Sequence, residues 1–330
     1  MKNKPRILVV GSFIMDLVAS ADRAPKMGET VVGQSFRTAP GGKGANQAVQ
    51  AARLGVETHM VGCVGDDPYG RILVKALDES GVDTSRVKVS HEHPSGVGHI
   101  QIQTGEDGVQ NRIIVVPGAN HDLKPADLEW LEEEIARYDM VIMQLELEMW
   151  VTEYIARIAK KAGIPVMLNT APAAPLSDGL LSCVSFISPN ETEASVLSGV
   201  KTDSEGRLSG EALEQAAAIL MKKGVPNVII TLGDKGAAIC TDKGLKIIPS
   251  VRMKDLKDPT AAGDSFVGSF CAGYVSGLTM EESLCLAVSA AALTVCGNGA
   301  IPSLPALKSV QDLMRERGNG HLADKLNILK

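Results

Sequence analysis

Aromatic side chains are scarce in this sequence: five Phe, four Tyr and two Trp, or 3% of 330 residues. Proteins that bind nucleic acid by stacking bases need such side chains, so that mode of binding is disfavoured. A positive excess is missing too. Lys and Arg number 33 against 39 Asp and Glu, a formal net charge of −6, which leaves no electrostatic footprint for a nucleic-acid partner. No apolar run approaches the roughly 20 residues that span a bilayer. The first, residues 7–10, is closed by Gly11 and Ser12 and followed by Asp16, and reads as a short buried strand rather than a secretory leader. None of the six cysteines (Cys63, Cys183, Cys240, Cys271, Cys285, Cys296) forms a C-x-x-C pair, and each sits among small or apolar neighbours. Free thiols in a reducing cytoplasm are the expectation. The histidines show no zinc-type spacing, and His91 and His93 fall in a polar stretch read as solvated.

What is present is an ordinary globular composition, 45% hydrophobic and 22% charged, with enough chain to bury a core unaided. One pattern recurs: a helical stretch ends in Gly, a β-branched residue follows, and a strand begins shortly after. It occurs at Gly55-Val56, Gly81-Val82, Gly163-Ile164 and Gly224-Val225. Glycine closes a helix in the left-handed conformation at little cost, and the alternation argues for βα units around a mostly parallel sheet. Short runs (7–10, 140–143, 166–168, 228–231), apolar throughout save for Thr231 at the end of the last, suit strands covered on both faces. Ala45, Ala48, Val49 and Ala52 fall at helical spacing, as do Phe266, Val267, Phe270, Cys271 and Tyr274; both stripes read as core.

Two segments, about 17–40 and 96–118, break the βα rhythm. In the second, Val97, Ile100 and Ile102 and then Ile113 to Val116 flank the polar turn Gly105-Glu106-Asp107-Gly108, which predicts a β-hairpin. Together they suggest a small sheet inserted into one α/β domain spanning 1–330, placed as a cover over a site.

Five motifs carry chemistry. Asp258-Pro259-Thr260-Ala261-Ala262-Gly263-Asp264-Ser265-Phe266 leads through small residues into a helix. The unpaired N–H groups of a helix start form an anion site. Asp264 within it is either a helix cap or a base for a hydroxyl attacking phosphorus. Gly41-Gly42-Lys43-Gly44-Ala45-Asn46 also enters a helix and offers close backbone approach, a cation and an amide; it lacks Walker A spacing and alone is equally a tight turn. Gly11-Ser12-Phe13-Ile14-Met15-Asp16 lies just beyond the first strand, where α/β folds bind ligands. Asp16 there is either a ligand for two vicinal hydroxyls or a solvated loop carboxylate. In Asn190-Glu191-Thr192-Glu193, Glu193 is spaced either to complete a capping box or to approach a metal–phosphate complex. Thr231-Leu232-Gly233-Asp234-Lys235-Gly236 says only that a strand ends in a turn.

Taken together and in this order, these motifs resemble the ribokinase family of carbohydrate kinases, the phosphofructokinase-B type, from Arg6 to about Pro305. The carriers are the run from Gly41 to Ala48 and the run from Ala261 to Phe266, two signatures far more specific as a pair than singly. The resemblance implies a ribokinase-like α/β fold with a small β-sheet lid, and phosphorylation by ATP of the terminal 5-hydroxyl of a pentose, D-ribose foremost. Asp264 is then the general base, and the backbone amides of Ala261, Ala262, Gly263 and Asp264 the anion hole. Asp16, Ile14, Gly42, Lys43, Gly44, Asn46 and Glu146 fall at the sugar positions. Asn190, Thr231, Gly233, Asp234, Lys235, Gly236 and Gly263 fall at the nucleotide. Glu193 supports Mg²⁺ through water. A K⁺ site takes side-chain oxygens from Asp258 and Ser303 and carbonyls from Thr260, Thr294, Gly297 and Gly299. By the same analogy the lid pairs two subunits in a homodimer.

The departures matter. Ribose-specific members carry Asn at the position of Ile14, where it faces the sugar. An apolar residue cannot pair a hydroxyl, and a buried hydroxyl without a partner loses about 1–3 kcal/mol. Either the substrate lacks that hydroxyl, as 2-deoxyribose does, or carries a substituent there, or Ile14 turns into the core and ribose still binds. Pro259 and Gly297 are smaller departures. Beside a ribose kinase stand a kinase for 2-deoxyribose or for another furanose or nucleoside, and, in another class, a sugar sensor without turnover, which an intact Asp264 disfavours. A dinucleotide oxidoreductase is a poor fit, because Gly11-Ser12-Phe13-Ile14 is not G-x-G-x-x-G.

Overall fold

Ile7, Leu8, Val9 and Val10 are all buried, because the strand that holds them, Arg6–Val10, lies well inside a nine-stranded sheet. In this computed structural model, which describes residues 4–105, 108–204 and 207–329, the sheet order is Gly244–Ile248, Ala237–Thr241, Asn227–Thr231, Phe186–Ser188, Val166–Asn169, Met140–Met143, Arg6–Val10, Glu57–Gly65 and Val82–Ser90. Pairing is parallel from Asn227–Thr231 through Val82–Ser90 and antiparallel only for the two strands at the first edge.

Side chains alternate across the sheet. Ile7 and Val9 join a core shared with the helices Lys43–Arg53, Ala262–Val275 and Met280–Thr294, while Leu8 and Val10 join a second core under Met149–Ala162 and Gly210–Lys222. Both expected stripes pack as core: Ala45, Ala48, Val49, Phe266 and Phe270 are fully or almost fully buried, and Tyr274 meets Phe186 edge-on. Gly55, Gly81, Gly163 and Gly224 all have positive φ, as the repeated helix-end pattern requires.

A second sheet, in the order Ser35–Gly41, Ile14–Ala21, Gly96–Gly105, Gly108–Val116, is the expected inserted element. The hairpin forms; Glu106 and Asp107 of its turn lie outside the described residues. One expectation is corrected here. Asp16 is not in a loop and the small sheet does not start at 17: Ile14, Met15 and Asp16 already belong to the strand Ile14–Ala21. The cause is non-local. Ile14, Met15 and Asp16 pair in parallel with Gly96, Val97 and Gly98, and antiparallel with Gly41, Pro40 and Ala39. Only residues 11–13 separate the first strand from the small sheet.

All six thiols are free. His91 and His93 are largely exposed, as read, each beside a carboxylate, Asp66 and Asp122. Among the described residues no helix is long and apolar enough to cross a membrane.

Candidate active site

The carboxyl edge of the large sheet gathers the chemistry. Gly11 follows the strand Arg6–Val10, Gln144 to Glu146 follow Met140–Met143, Asn190 follows Phe186–Ser188, and Thr231 ends Asn227–Thr231. This is the edge where α/β sheets bind ligands.

Two glycines let the helix Lys43–Arg53 start against the segment 11–14. Gly42 has φ 99°, and a Cβ there would lie 2.7 Å from the Ile14 amide nitrogen and 2.8 Å from the Ser12 carbonyl oxygen. A Cβ on Gly44 would lie 2.5 Å from the Ser12 nitrogen. That close contact places Lys43 and Asn46 beside the first strand's end. The Lys43 backbone N–H donates to Glu146 Oε2 at 3.1 Å, its ammonium lies 3.9 Å from Glu146 Oε1, and Ser12 Oγ donates to Glu146 Oε2 at 2.5 Å. Burial opposes the Lys43 charge, yet the carboxylates of Asp264, Glu146, Glu193 and Asp16 together raise its pKa. Lys43 is therefore a fixed cation amid acids.

Asp264 lies in the first turn of the helix Ala262–Val275. The turn is set by Ala261, the one non-glycine with positive φ (62°) among the described residues, a left-handed conformation disfavoured by about 1–2 kcal/mol for a residue with a Cβ. Asp264 is buried. Its Oδ2 accepts from Asn46 Nδ2 and its Oδ1 from Gln47 Nε2, both at 2.9 Å. Burial pushes its pKa up, against the Lys43 charge and the two amide donors. Of the amides expected in the anion hole, that of Ala262 donates to the Pro259 carbonyl at 3.2 Å. The first-turn amides of Gly263 and Asp264 point out of the helix start without an intrahelical partner, and a Cβ on Gly263 would meet nothing within 4 Å.

Asp16 faces the same cluster from the small sheet. Its pKa is pushed up to about 6, first by burial and then by Glu146, with Arg37 and Lys43 pulling the other way. Gly98 makes room for it: a Cβ there would lie 2.6 Å from Asp16 Oδ1.

Asn190 and Glu193 form the capping box that the spacing allowed. Asn190 Oδ1 accepts from the Glu193 amide at 2.8 Å, and Glu193 Oε2 accepts from the Asn190 amide at 3.0 Å and from Thr170 Oγ1 at 3.1 Å. Glu193 Oε1 accepts from Asn190 Nδ2. With both oxygens so engaged, Glu193 suits water-mediated rather than direct approach to a metal, and among the described residues no group of three or more His, Cys, Asp or Glu is arranged to hold one. Beside it, Gly233–Lys235 makes a short 3-10 turn closed by Leu232 N–H donating to Gly236 O at 2.8 Å, and Lys235 pairs with Glu191 at 3.5 Å.

The residues expected to hold a monovalent cation fall in two groups, Asp258 with Thr260 and Gly299, and Gly297 with Ser303 and Thr294. Lys257 and Asp258 amides both donate to the Val295 carbonyl. Asp258 Oδ1 accepts from Thr260 N–H at 2.9 Å and Oδ2 from Gly299 N–H at 3.0 Å. A Cβ on Gly297 would lie 2.5 Å from Ser303 Cβ and 3.4 Å from the Thr294 carbonyl oxygen. These hydrogen bonds, with Arg37, outweigh burial and hold the Asp258 carboxyl below its ordinary range. The Ser303 hydroxyl donates to the Ala300 carbonyl at 2.8 Å, which leaves the Asp258 carboxylate as the charged group of the set.

Residues 4–307 match the model of the pfkB family carbohydrate kinases. The chain belongs to that family. The kinase is 39% identical to a ribokinase of Bacillus subtilis over 93% of its own length and 99% of that protein's. It is 34% identical to a deoxyribokinase of Salmonella typhi over 93% and 98%. The structure of Arabidopsis thaliana ribokinase complexed with ribose and ATP superposes with a TM-score of 0.85 at 36% identity, covering 94% of the kinase and 99% of that chain.

Of the residues singled out from sequence, Asp264, Asn46, Lys43, Glu146 and Asp16 come together, and Asn190, Glu193, Thr231 and the 233–236 turn form a neighbouring group along the same edge. Ile14 is buried and lies two residues before Asp16 on the same strand face. Four contributors escaped the sequence reading. Gln47 and Gln144 bond into the Asp264 network. Asn120 clamps the chain before Ile14, accepting from Phe13 N–H at 2.8 Å and donating to Phe13 O at 2.7 Å. Arg37 approaches Asp258 Oδ2 at 3.8 Å. Gln47 alone had a signal, its place inside the quoted signature run.

Proposed function

We propose that the kinase transfers the γ-phosphoryl group of ATP to the 5-hydroxyl of a pentose, with D-ribose as substrate and ribose 5-phosphate as product. The observation that carries this reading is the buried Asp264 carboxylate, held by two amide donors at a helix start, in one cluster with Lys43, Glu146 and Asp16. The ribose and ATP bound by the Arabidopsis neighbour support it. Asp264 takes the proton of the attacking hydroxyl as the O–P bond forms, and ADP leaves. The amides of Gly263 and Asp264 stabilise the negative charge on the transferring group. Asp16, Glu146, Asn46, Lys43 and the backbone at Gly42 and Gly44 hold the sugar, while Asn190, Thr231 and residues 233–236 line the nucleotide. Glu193 would hold, through water, the Mg²⁺ that accompanies ATP, and that ion would supply positive charge to the phosphates. A K⁺ held by Asp258, Ser303 and the carbonyls of Thr260, Thr294, Gly297 and Gly299 would supply positive charge behind the helix start.

The small sheet acts as a lid within a single domain. Ile113, Ile114, Val115 and Val116 on its edge strand and Phe36 on the opposite edge are about half exposed or more, so both outer strands leave large apolar side chains uncovered. That supports a homodimer formed through the lid. Free thiols and the lack of a membrane-crossing helix among the described residues fit a cytoplasmic enzyme.

Ile14 favours a second reading, in which 2-deoxyribose is preferred. It is buried, it shares a strand face with Asp16, and a Cβ on Gly96 would lie 2.8 Å from its Cδ1. The deoxyribokinase relative is in line with it. ADP release with MgATP and K⁺, measured with ribose and 2-deoxyribose at subsaturating concentrations, tests both. A ribose preference supports the first reading, a deoxyribose preference the second. Turnover of neither sugar refutes both readings and leaves another sugar or nucleoside as acceptor, or a non-catalytic sensor.

A further inference from the structure

We infer that two buried amides, Gln144 and Gln47, form a relay that orients the Asp264 carboxylate and keeps it charged. The inference rests on the reading of Asp264 as the base. Gln47 is fully buried and Gln144 nearly so. Gln47 uses every part of its amide. One N–H goes to Asp264 Oδ1 at 2.9 Å, the other to Asn169 Oδ1 at 3.3 Å, and Oε1 accepts from Gln144 Nε2 at 2.7 Å. The last bond fixes the direction of the chain. Turned over, the Gln47 amide would set its own oxygen against the carboxylate and its N–H₂ against the N–H₂ of Gln144, two repulsive contacts in a site with little water to screen them.

Gln144 is positioned by close backbone approach. A Cβ on Gly11 would lie 2.1 Å from Gln144 Oε1, and that oxygen is buried without a hydrogen-bond partner. The fold tolerates an orphan acceptor to present the Gln144 N–H₂ to Gln47. Asn46 differs in kind. Its Nδ2 holds Asp264 Oδ2, while its Oδ1 is buried and unpartnered, leaving an acceptor for a sugar hydroxyl. Asn46 thus serves both sugar and base, whereas Gln47 touches the base and the body of the fold. Gln47 is a positioning residue. A carboxylate that accepts N–H bonds stays ionised to lower pH, so the relay offsets part of the burial that pushes Asp264 the other way.

The test is the single-turnover rate of phosphoryl transfer at saturating sugar and MgATP, followed from pH 5 to 9, with the sugar KM and thermal melting recorded beside it. Gln47→Leu should slow transfer about tenfold or more and move the acidic limb of the rate profile up by about one pH unit, with less than a threefold change in sugar KM. Gln144→Leu should act in the same direction and less strongly, because Gln47 keeps its N–H groups but loses what fixes them. Gln47→Glu, of nearly the same shape, keeps the bond from Gln144 and sets a second carboxyl against Asp264, so its acidic limb should also rise. This variant decides the matter if Gln47→Leu does not fold. Lowered melting with an unmoved acidic limb would make Gln47 a packing residue and overturn the relay. Asp264→Asn separates the two levels: if it retains turnover, the base assignment fails and the relay with it; if it is inactive while Gln47→Leu and Gln47→Glu leave the limb in place, only the relay fails.

Discussion

Ile14 and Asp16 point to the same face of one lid strand, an apolar and an acidic side chain two residues apart above the paired glycines Gly96 and Gly98. Period-two alternation makes this unavoidable once the strand begins at Ile14. Whatever Asp16 binds must therefore pass close to Ile14. An asparagine there would restore a donor and an acceptor, and an unpaired sugar hydroxyl loses about 1–3 kcal/mol, a factor of roughly 5 to 150 in kcat/KM. Ile14→Asn should raise the ratio of kcat/KM for ribose over 2-deoxyribose by about tenfold. A ratio unchanged between wild type and variant, measured by ADP release, would return Ile14 to packing alone.

The second prediction concerns pH. Burial and Glu146 push the Asp16 carboxyl up to about 6 from an ordinary 3.8. A carboxylate that accepts sugar hydroxyls must be ionised, so below pH 6 the sugar KM should climb about tenfold per unit while the single-turnover rate at saturating sugar stays flatter. The same shift has a stability side. A carboxyl that binds its proton more tightly folded than unfolded takes stability away as pH rises from about 4 to 6, and the loss is complete above 6. Asp16→Asn should accordingly abolish tight sugar binding yet melt a few degrees higher at pH 7.5. Lower melting at that pH would show that the carboxylate is compensated better than burial implies.

Much of this site was legible because its requirements are local. Glycines at 42 and 44 and small residues from Ala261 to Gly263 announce a backbone that must come close to something, and the chain within a few residues already says helix start. The strands 7–10 and 140–143 were equally plain, since burial on both faces writes an unbroken apolar run. What escaped depends on distant pairings. The strand that carries Asp16 exists only through partners near 40 and 98. Gln47 looks like any helix residue until Asp264, far along the chain, is brought against it. Arg37 meets Asp258 in the same way, and a lone arginine on a lid strand carries no mark of that.

The glycine at 44 gives a third prediction, on packing. A methyl at this position would overlap the Ser12 nitrogen at 2.5 Å and the Gly11 carbonyl carbon at 2.6 Å, both backbone atoms that cannot rotate away. Separating the helix Lys43–Arg53 from the segment 11–14 would draw Lys43 from Glu146 and Asn46 from Asp264. Gly44→Ala should be destabilised by about 2–4 kcal/mol and lose most of its turnover. Gly163→Ala, at a helix end where a Cβ would meet nothing within 4 Å, carries only the strain of its positive φ and should be destabilised by about 1 kcal/mol with turnover kept. Urea unfolding of the two variants side by side checks the contrast, and equal losses would refute the role given to close approach at Gly44.

The last prediction concerns the monovalent cation proposed at Asp258. Arg37 extends from the lid strand Ser35–Gly41, its guanidinium 3.8 Å from Asp258 Oδ2, and a Cβ on Gly299 would lie 3.6 Å from its Nη1. Two positive charges sharing one carboxylate repel, so an ion bound there is weakened by Arg37. Because the pair is partly exposed, salt screens the effect. Arg37→Gln should lower the KCl concentration for half-maximal activation by about threefold or more at constant ionic strength. It should also enlarge the rise in melting temperature that KCl produces over an equal concentration of tetramethylammonium chloride, a readout that does not depend on turnover. If neither quantity moves, Arg37 and a monovalent ion do not share Asp258. If KCl has no effect on activity or melting in either protein, the cation site itself is wrong and Asp258 serves only to tie Thr260 to Gly299 behind the helix that carries Asp264.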